Sequence, residues 1–556
     1  MSRYFLFLFL FIHQYTSAQY SRYIIELKDK NGTVHSLDNP TTFLSSESIT
    51  RKRKFNIPID SSDLPVSKTY IETLGKLPDL KIIYTSKWLN LVIVQTTNQQ
   101  TIAKINGLEF VKKQFPIANA IAPGLIPKFT EKLYSGNDSY AKENEKENII
   151  SYGKGQNQIS IHEGAFLHNM GFQGQGIKIA LFDGGFYKYL NYTAFDSIRK
   201  KNNIKATWDF VSNDANVNDD DPHGMSCLST MAANLPGQFV GTSPSSEYYL
   251  FRTEDSGSEF PIEEAYWLIA AERADSIGVH IISSSLGYTR FDDAFFNHQY
   301  TDLNGLRTIV SKAASIAVSK GIIVTNSAGN EGNDPWKYIS APADGINVLA
   351  VGAVNTSKQI ANFSSFGPSA DGRIKPDIIS VGWNTQLIAA DGNVGIGSGT
   401  SFSNPTIAGL IACLWQAFPE FSALEIIDAV KKSSSQYNNP DNRMGYGIPN
   451  MKVAYLALDQ ERNIRNAKRI LTEKNIILYP NPFISNLKIA YKSNNTGTFN
   501  WSIINISGQI IKTGIESVKK DQYYVFKIEA LDNLTKGMYF LNYSDDQGKG
   551  SIQLIK

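Results

Sequence analysis

Three short segments carry the side chains whose types and spacing could perform chemistry. Asp183 is followed by two glycines, His223 precedes a glycine at the start of an apolar stretch, and Ser401 follows Gly399 and Thr400. Ser401 is placed at the beginning of a predicted helix, where free backbone N–H groups and the helix dipole stabilise developing negative charge. This position suits the nucleophile of an acyl-transfer reaction.

Each of these residues also has an ordinary structural interpretation. A turn or a helix cap would explain Asp183 equally well, and a capping role would explain His223. His223 is nevertheless distinctive among the seven histidines of the chain, because after His13 and His35 are set aside only it opens a helix beside a glycine. The three segments together are stronger evidence for a catalytic site than any one of them.

The elements that must position these residues are predicted from nearly continuous apolar runs. Such runs indicate parallel strands that are buried on both faces, and helical patterns alternate with them. The predicted fold class of the central region is therefore α/β, with a doubly wound, mostly parallel sheet. Functional groups gather at the carboxyl ends of such strands, which is where Asp183 lies. The predicted strands cover residues 177–182, 248–252, 281–285, 322–326 and 348–351.

At these residues the sequence resembles the subtilisin-like serine peptidases, or subtilases. The chain order Asp183, His223, Ser401 is the order of that family, and the resemblance covers residues 156–456. It implies a serine-type endopeptidase in which His223 takes the proton from Ser401 and Asp183 orients the imidazole. The segment around Asn330 resembles the loop that carries the oxyanion-hole asparagine, so Asn330 is expected to be that residue.

The resemblance also implies the substrate-binding residues. Two segments resemble the walls of the primary specificity pocket, and a third resembles the edge segment that pairs with an extended peptide. The expected wall residues are Ser285, Leu286, Gly287, Ala328 and Gly329, and the expected edge residues include Gly257 and Ser258. Gly184 stands where the family commonly has threonine or serine, and Ser403 where alanine is frequent, but neither difference removes a catalytic group.

Two other functions compete with this one. A catalytically silent scaffold that keeps the fold for surface binding is the alternative from another class, although every residue that such decay removes first is present. A metallopeptidase is excluded at His162-Glu163, because Phe166 stands where its second histidine is required. The expected chemistry requires no cofactor. Structural calcium is possible at the acidic run Asp214 and 219–221, although a solvated loop is the preferred interpretation.

The region before the central domain is predicted to be a small α+β domain. Its stretches follow in the order strand, helix, two strands, helix, strand, and it contains no cluster of histidines, cysteines or paired carboxylates. Within the resemblance it is expected to be an inhibitory and chaperone-like propeptide, which makes the protein a zymogen. Its basic run Arg51-Lys52-Arg53-Lys54 is expected to be a solvated helix face.

The two ends of the chain predict export. Residues 1–18 show the positive, apolar and small-residue parts of a signal peptide. Residues 475–556 alternate apolar and polar positions between turns, which predicts an antiparallel β-sandwich, and they resemble the C-terminal sorting domain of type IX secretion cargo. A carbohydrate- or protein-binding sandwich is the alternative. The protein is therefore expected to be secreted or attached to the cell surface, with the bacterial secretion machinery as a partner.

The predicted organisation has six parts. They are a signal peptide (1–18), a propeptide (19–125), a linker with the maturation site (126–155), a peptidase domain (156–458), a second linker (459–474) and a sorting domain (475–556).

Composition excludes several other classes of protein. The hydrophobic share of 42% is ample for a buried core, and a formal net charge of +2 over 556 residues gives no basis for a nucleic-acid partner. No segment after the signal has the 18 consecutive apolar residues of a transmembrane helix. The expected partners are protein or peptide substrates and the protein's own propeptide.

Cys227 and Cys413 are expected to be buried free thiols rather than a disulfide.

Overall fold

The computed structural model describes residues 20–119, 132–134, 148–471, 474–546 and 548–556. Its residues cluster in two compact units, which divide between Ala454 and Tyr455. The predicted signal peptide and most of the predicted linker 126–155 lie outside the described residues. Within the described ranges, no helix has both the length and the apolar character that a membrane crossing requires.

A four-stranded antiparallel sheet forms the first domain of the larger unit. The elements of this domain are β1 (Tyr20–Leu27), α1 (Ser46–Lys54), α2 (Lys68–Gly75), β2 (Lys81–Ser86), β3 (Leu91–Gln95), α3 (Gln99–Asn106) and β4 (Val111–Asn119). The strand order is β2, β3, β1, β4. Tyr23 and Ile25 of β1 pack in one cluster with residues of α2 and α3, whereas Ile24 joins the core of the next domain. Both faces of the sheet are therefore covered, which confirms the predicted α+β class. The helix α1, which carries the basic run, lies outside the predicted order of strands and helices.

The basic run in α1 is not a solvated helix face. Arg51 is 7% exposed and Lys52 is 1% exposed. Arg51 forms an ion pair with Asp275 of the next domain, and Lys52 Nζ lies 3.1 Å from Asp63 Oδ1. The expectation was wrong for these two cations because a carboxylate pairs with each, Asp275 from the next domain and Asp63 from the same domain, and such pairing permits burial of a charge. The other two basic residues of the run are exposed.

The second domain of this unit is built on a seven-stranded parallel sheet with strand order β14, β13, β12, β11, β6, β10, β7. Its strands and the short strands around them are β5 (Lys132–Tyr134), β6 (Lys178–Asp183), β7 (Ile204–Asp209), β8 (Asn234–Leu235), β9 (Phe239–Val240), β10 (Glu247–Arg252), β11 (Ile281–Ser284), β12 (Ile323–Ser327), β13 (Leu349–Val354), β14 (Ile378–Val381), β15 (Thr385–Ile388) and β16 (Val394–Ser398). The doubly wound α/β class is confirmed.

All five predicted apolar runs are strands of this sheet, and the sequence analysis missed β7 and β14. These two are the outermost strands, and β7 mixes polar with apolar residues because an edge strand is less deeply buried. The chain passes from β10 on one side of β6 to β11 on the other. The carboxyl end of β6 therefore lies at a topological switch point, where sheets of this kind place their functional groups.

Helices surround the sheet, and two of them are buried along almost their whole length. The helices of this domain are α4 (Gln156–Ser160), α5 (Ala165–Asn169), α6 (Asp196–Lys200), α7 (His223–Ala232), α8 (Ile262–Ile277), α9 (Ile309–Ser319), α10 (Thr400–Ala417) and α11 (Ala423–Lys432). The next helix along the chain, α12 (Met451–Ile470), spans the division between the two units. Every residue of α7 is buried, as is every residue of α10 except Gln416. Small residues permit this burial, since a Cβ on Gly409 would overlap Thr242 Oγ1. The starts of both helices are thereby held in place.

The second unit contains two antiparallel sheets, with strand orders β17, β18, β21 and β20, β19, β22, β23. The strands are β17 (Ile476–Tyr479), β18 (Leu487–Lys492), β19 (Gly497–Asn505), β20 (Ile510–Val518), β21 (Tyr523–Ile528), β22 (Met538–Asp545) and β23 (Gly548–Ile555). A shared core contains Leu487, Phe499 and Leu541, as expected for a sandwich. Residues 459–470, predicted as linker, continue α12 because no glycine or proline interrupts it.

Candidate active site

Asp183 is the last residue of β6 and is 1% exposed. Its Oδ1 accepts a hydrogen bond of 2.8 Å from the amide of Gly184. The first turn of α7 packs directly against it, and Gly224 permits this approach. A Cβ on Gly224 would overlap the carbonyl oxygen of Gly185 and would lie 2.7 Å from the Cβ of Asp183. The strand end and the helix start are therefore in direct contact.

His223 is the first residue of α7 and is 3% exposed. Its Nδ1 lies 2.7 Å from Asp183 Oδ1, and its amide donates to Asp221 Oδ1 at 2.8 Å. Because the carboxylate accepts a hydrogen bond from Nδ1, the favoured neutral tautomer carries its proton there and leaves Nε2 as the basic nitrogen. An imidazole in this arrangement is oriented to accept a proton at Nε2.

Ser401 lies in the first turn of α10 and is 3% exposed. Its carbonyl oxygen accepts hydrogen bonds from Ser285 Oγ at 2.8 Å and from Cys227 Sγ at 3.3 Å. The same sulfur lies 3.9 Å from His223 Nδ1. The ring of Phe402, the residue after Ser401, lies 5.8 Å from the His223 ring. The structure thus brings together the three residues that the sequence analysis singled out.

Asn330 follows β12 and is held by the first residue of α10. Its Oδ1 accepts from the Thr400 amide at 2.8 Å and from the Thr400 hydroxyl at 2.9 Å. Thr400 Oγ1 in turn accepts from the Gly329 amide at 3.2 Å. With its oxygen engaged by Thr400, the Asn330 side chain offers its NH₂ group as a hydrogen-bond donor beside the start of α10. The expectation that Asn330 is the oxyanion-hole residue stays a prediction, and the contacts that Thr400 makes with this side chain were not expected from the sequence.

The two expected pocket walls, residues 285–287 (the first wall) and 328–329 (the second wall), follow the carboxyl ends of the neighbouring strands β11 and β12. Asn326 Nδ2 donates to the Leu286 carbonyl at 2.9 Å, and Asn404 Nδ2 donates to the Ser284 carbonyl at 3.0 Å. Both asparagines are fully buried. Asn326, near the end of β12, holds the first wall directly, and Asn404, in α10, holds the end of β11 that leads into it. The sequence analysis missed both roles, although a buried asparagine near a strand end, such as Asn326, is a usable signal.

The expected edge residues Gly257 and Ser258 lie in a turn rather than in a strand. Asp255 holds this turn, since its Oδ1 accepts from the Gly257 amide at 3.1 Å and its Oδ2 from the Ser258 hydroxyl at 3.0 Å. Glu263 of α8 accepts from the amides of Asp255 and Phe260 at 2.7 and 3.2 Å. Pairing of this segment with a peptide stays a prediction.

Both cysteines are buried free thiols, as predicted. Burial raises the pKa of Cys227 to about 11, and the neighbouring His223 opposes the shift. Burial also raises the pKa of Cys413. A thiol with a raised pKa is protonated at neutral pH and is a poor nucleophile.

The acidic run after β7 makes local hydrogen bonds. Arg252 Nη1 lies 3.3 Å from Asp220 Oδ1. The amide of Asn216 donates to Asp214 Oδ1, and its side chain donates to Asp219 Oδ2, both at 2.8 Å. Among the described residues, the groups of side chains close enough to share one metal ion do not include this run. These contacts agree with the solvated-loop interpretation.

The N-terminal domain contacts the central domain through buried polar groups. Glu272 of α8 is 8% exposed, and it accepts hydrogen bonds from the Ser86 hydroxyl and from the amides of Lys87 and Trp88. Burial raises the pKa of Glu272, and these hydrogen bonds act in the opposite direction. The Tyr84 hydroxyl donates to the carbonyl oxygen of Phe210 at 2.9 Å.

The strand β5 lies close to the start of α10. It pairs antiparallel with β16, with Lys132 opposite Ser398 and Tyr134 opposite Ile396. Ser398 is three residues before Ser401. The residues of β5 thus lie beside the segment that leads into the candidate nucleophile.

Three segments of the chain match known families. Residues 174–447 match the subtilase family, residues 22–130 match the peptidase S8 propeptide domain of Bacteroidota, and residues 477–556 match the secretion system C-terminal sorting domain.

Curated proteins resemble part of this chain. Subtilisin J of Geobacillus stearothermophilus is 30% identical over 353 residues, which are 62% of this chain and 82% of that protein. Subtilisin of Bacillus pumilus is 30% identical over 300 residues, 53% of this chain and 97% of that protein. Subtilisin E of Bacillus subtilis (strain 168) is 29% identical over 353 residues, again 62% of this chain and 82% of the relative.

Proposed function

Because the chain belongs to the subtilase family and is a serine-type endopeptidase, we propose that it cleaves peptide bonds with Ser401 as nucleophile, His223 as general base and acid, and Asp183 as the residue that orients the imidazole. The observation that carries this assignment is the 2.7 Å contact between His223 Nδ1 and Asp183 Oδ1. This contact leaves Nε2 as the nitrogen that can take a proton. Ser401 lies on the adjacent helix start, and Cys227 contacts both His223 and Ser401.

The proposed reaction is a two-step acyl transfer. Ser401 Oγ attacks the scissile carbonyl carbon while His223 Nε2 takes the hydroxyl proton, and the same nitrogen then gives that proton to the leaving amine. Water hydrolyses the resulting acyl-enzyme by the reverse sequence of proton transfers. The buried Asp183 carboxylate stabilises the imidazolium that forms in each step. This chemistry requires no metal ion and no organic cofactor.

The tetrahedral oxyanion needs hydrogen-bond donors that are already in place. We assign this role to the Asn330 NH₂ group and the Ser401 amide. Thr400 engages Asn330 Oδ1 from two sides, so the amide cannot rotate without losing both bonds. Such preorganised donors stabilise charge that develops only in the transition state, and loss of one typically lowers the rate on the order of 10²–10³-fold.

The protein has a propeptide and a sorting domain, and the sorting domain directs export by type IX secretion to the cell surface or the extracellular space. We infer that the precursor is a zymogen in which the propeptide blocks the site until the segment between residues 126 and 152 is cut. The pairing of β5 with β16 supports this inference. A chain held beside Ser398 would have to leave before a substrate could bind there.

A fluorophosphonate probe tests the assignment, because it esterifies only an activated serine. We expect the linker-processed protein to be labelled at Ser401 and the Ser401→Ala variant to remain unlabelled. The uncut precursor should be labelled much more slowly than the processed form. A folded, processed protein that stays unlabelled would overturn the triad and favour the silent binding scaffold instead.

A further inference from the structure

A short segment closes the space between the two pocket walls. This segment, residues 339–341, is bonded to both sides. The Ser340 amide donates to the Ala328 carbonyl at 3.1 Å, and the Tyr288 amide donates to the Ala341 carbonyl at 2.8 Å. It therefore connects the second wall to the residue that follows the first wall, and its side chains lie at the end of the intervening space.

Ser340 directs its hydroxyl group into that space. A Cβ added to Gly287, in the first wall, would overlap Ser340 Oγ, and a Cβ added to Gly329, in the second wall, would lie 3.1 Å from it. Gly329 has φ +113, a backbone conformation that favours glycine. Each wall therefore has a glycine at the position that faces the Ser340 hydroxyl.

The Ser340 hydroxyl is buried, and its Oγ has no hydrogen-bond partner among the described residues. Its polar neighbours are already engaged with each other. Ser365 Oγ donates to Glu331 Oε2 at 2.8 Å and accepts from the Glu331 amide at 3.0 Å. Buried hydroxyl groups in proteins normally have a partner, because an unpaired one is costly. The Ser340 hydroxyl, between the two pocket walls, is thus a buried polar group for which a substrate side chain could supply the missing partner.

We propose that Ser340 selects substrates with a hydrogen-bonding side chain, such as asparagine or threonine, at the residue on the amino side of the scissile bond. This inference rests on the proposed function and specifies its substrate class. The hydroxyl shortens the pocket, which disfavours large aromatic side chains. It also penalises apolar side chains, because they would cover the hydroxyl without offering a partner.

Substrate pairs whose side chains have similar size distinguish an effect of hydrogen bonding from an effect of side-chain volume. The processed enzyme is assayed with internally quenched peptides that differ only at this residue, comparing asparagine with leucine and threonine with valine. We expect kcat/KM to favour asparagine and threonine by about 10- to 100-fold. In Ser340→Ala both ratios should fall to within about 3-fold, and in Ser340→Gly cleavage after phenylalanine should rise. Ser319→Ala, an exposed serine on α9, is the matched control and should keep the wild-type ratios.

Labelling with the fluorophosphonate probe distinguishes the possible failures. A labelled wild-type enzyme that prefers leucine and valine, or that prefers lysine through Glu331, overturns this inference and leaves the proposed function standing. A folded, processed enzyme without labelling overturns both. The wild-type ratios test the inference even if the Ser340 variants do not fold.

Discussion

The amide of Trp88, in the propeptide, donates a hydrogen bond of 3.0 Å to Oε1 of Glu272, on helix α8 of the peptidase domain. The adjacent Lys87 amide donates to the other oxygen at 3.1 Å, and the Ser86 hydroxyl also donates to Oε1. One buried carboxylate thus accepts from three consecutive propeptide residues. Because charge-assisted hydrogen bonds are stronger than neutral ones, this contact should contribute to propeptide affinity.

Neutralising the Glu272 carboxylate should weaken the binding of the propeptide to the peptidase domain. We expect Glu272→Gln to raise the inhibition constant of the cleaved propeptide by about 5- to 30-fold, because it replaces charged acceptors by weaker neutral ones. This inhibition constant is obtained from progress curves of substrate cleavage by the linker-cleaved protein. Glu72→Gln is the control, since Glu72 lies 3.7 Å from Lys68 in an exposed pair and should change the constant less than 2-fold. Unchanged inhibition in Glu272→Gln would show that the contact does not contribute.

Asp183→Asn tests the orientation of the imidazole. An amide in place of the carboxylate has the same shape but does not hold the tautomer with its proton on Nδ1. We expect kcat to fall on the order of 10⁴-fold while KM stays within a few-fold of the wild-type value. Circular dichroism and the melting temperature would report whether the variant is folded. A loss below 10-fold in a folded variant is incompatible with the proposed role.

Asn330 and Thr400 should differ in the size of their effects. Asn330→Ala removes a proposed oxyanion donor and should lower kcat by about 10²–10³-fold. Thr400→Val removes the 2.9 Å hydroxyl contact to Asn330 but keeps the 2.8 Å amide contact, so we expect a loss of roughly 10-fold, typical of one hydrogen bond. Steady-state kinetics on one peptide substrate measures both. Equal losses would contradict this expectation and would show that the Asn330 donor works only while the Thr400 hydroxyl holds it.

The Cys227 thiol should react slowly and only at high pH. Because burial raises its pKa to about 11, the protonated form persists through neutral pH and only about one thiol in 10³ is ionised at pH 8. Alkylation by iodoacetamide should therefore accelerate about tenfold per pH unit between pH 8 and 10. Mass spectrometry of the processed enzyme follows the reaction at this site, and Cys227→Ala should abolish it while keeping activity within about 3-fold. A rate already maximal at pH 8 would contradict the assignment.

Local sequence patterns predicted the positions of the candidate catalytic residues on their elements. Asp183 ends a strand, His223 begins a helix and Ser401 lies in the first turn of another. These placements are local properties, because apolar runs, glycines and helix starts depend on neighbours within a few residues. The same patterns predicted the doubly wound sheet and the C-terminal sandwich.

Contacts between distant segments could not be predicted in this way. The burial of Arg51 depends on Asp275, and the position of the first pocket wall depends on Asn326 and Asn404. The unpaired hydroxyl of Ser340 is evident only once both walls are assembled around it.

The amino-acid sequence by itself therefore determined the fold class, the order of the domains and the residues available for chemistry. Only the tertiary structure decided which charges are buried, which hydrogen-bond donors are held in place and which buried hydroxyl lacks a partner. The physical reason is that the cost of burying a charged or polar group depends on its partners, and in this protein those partners come from segments far apart in the chain.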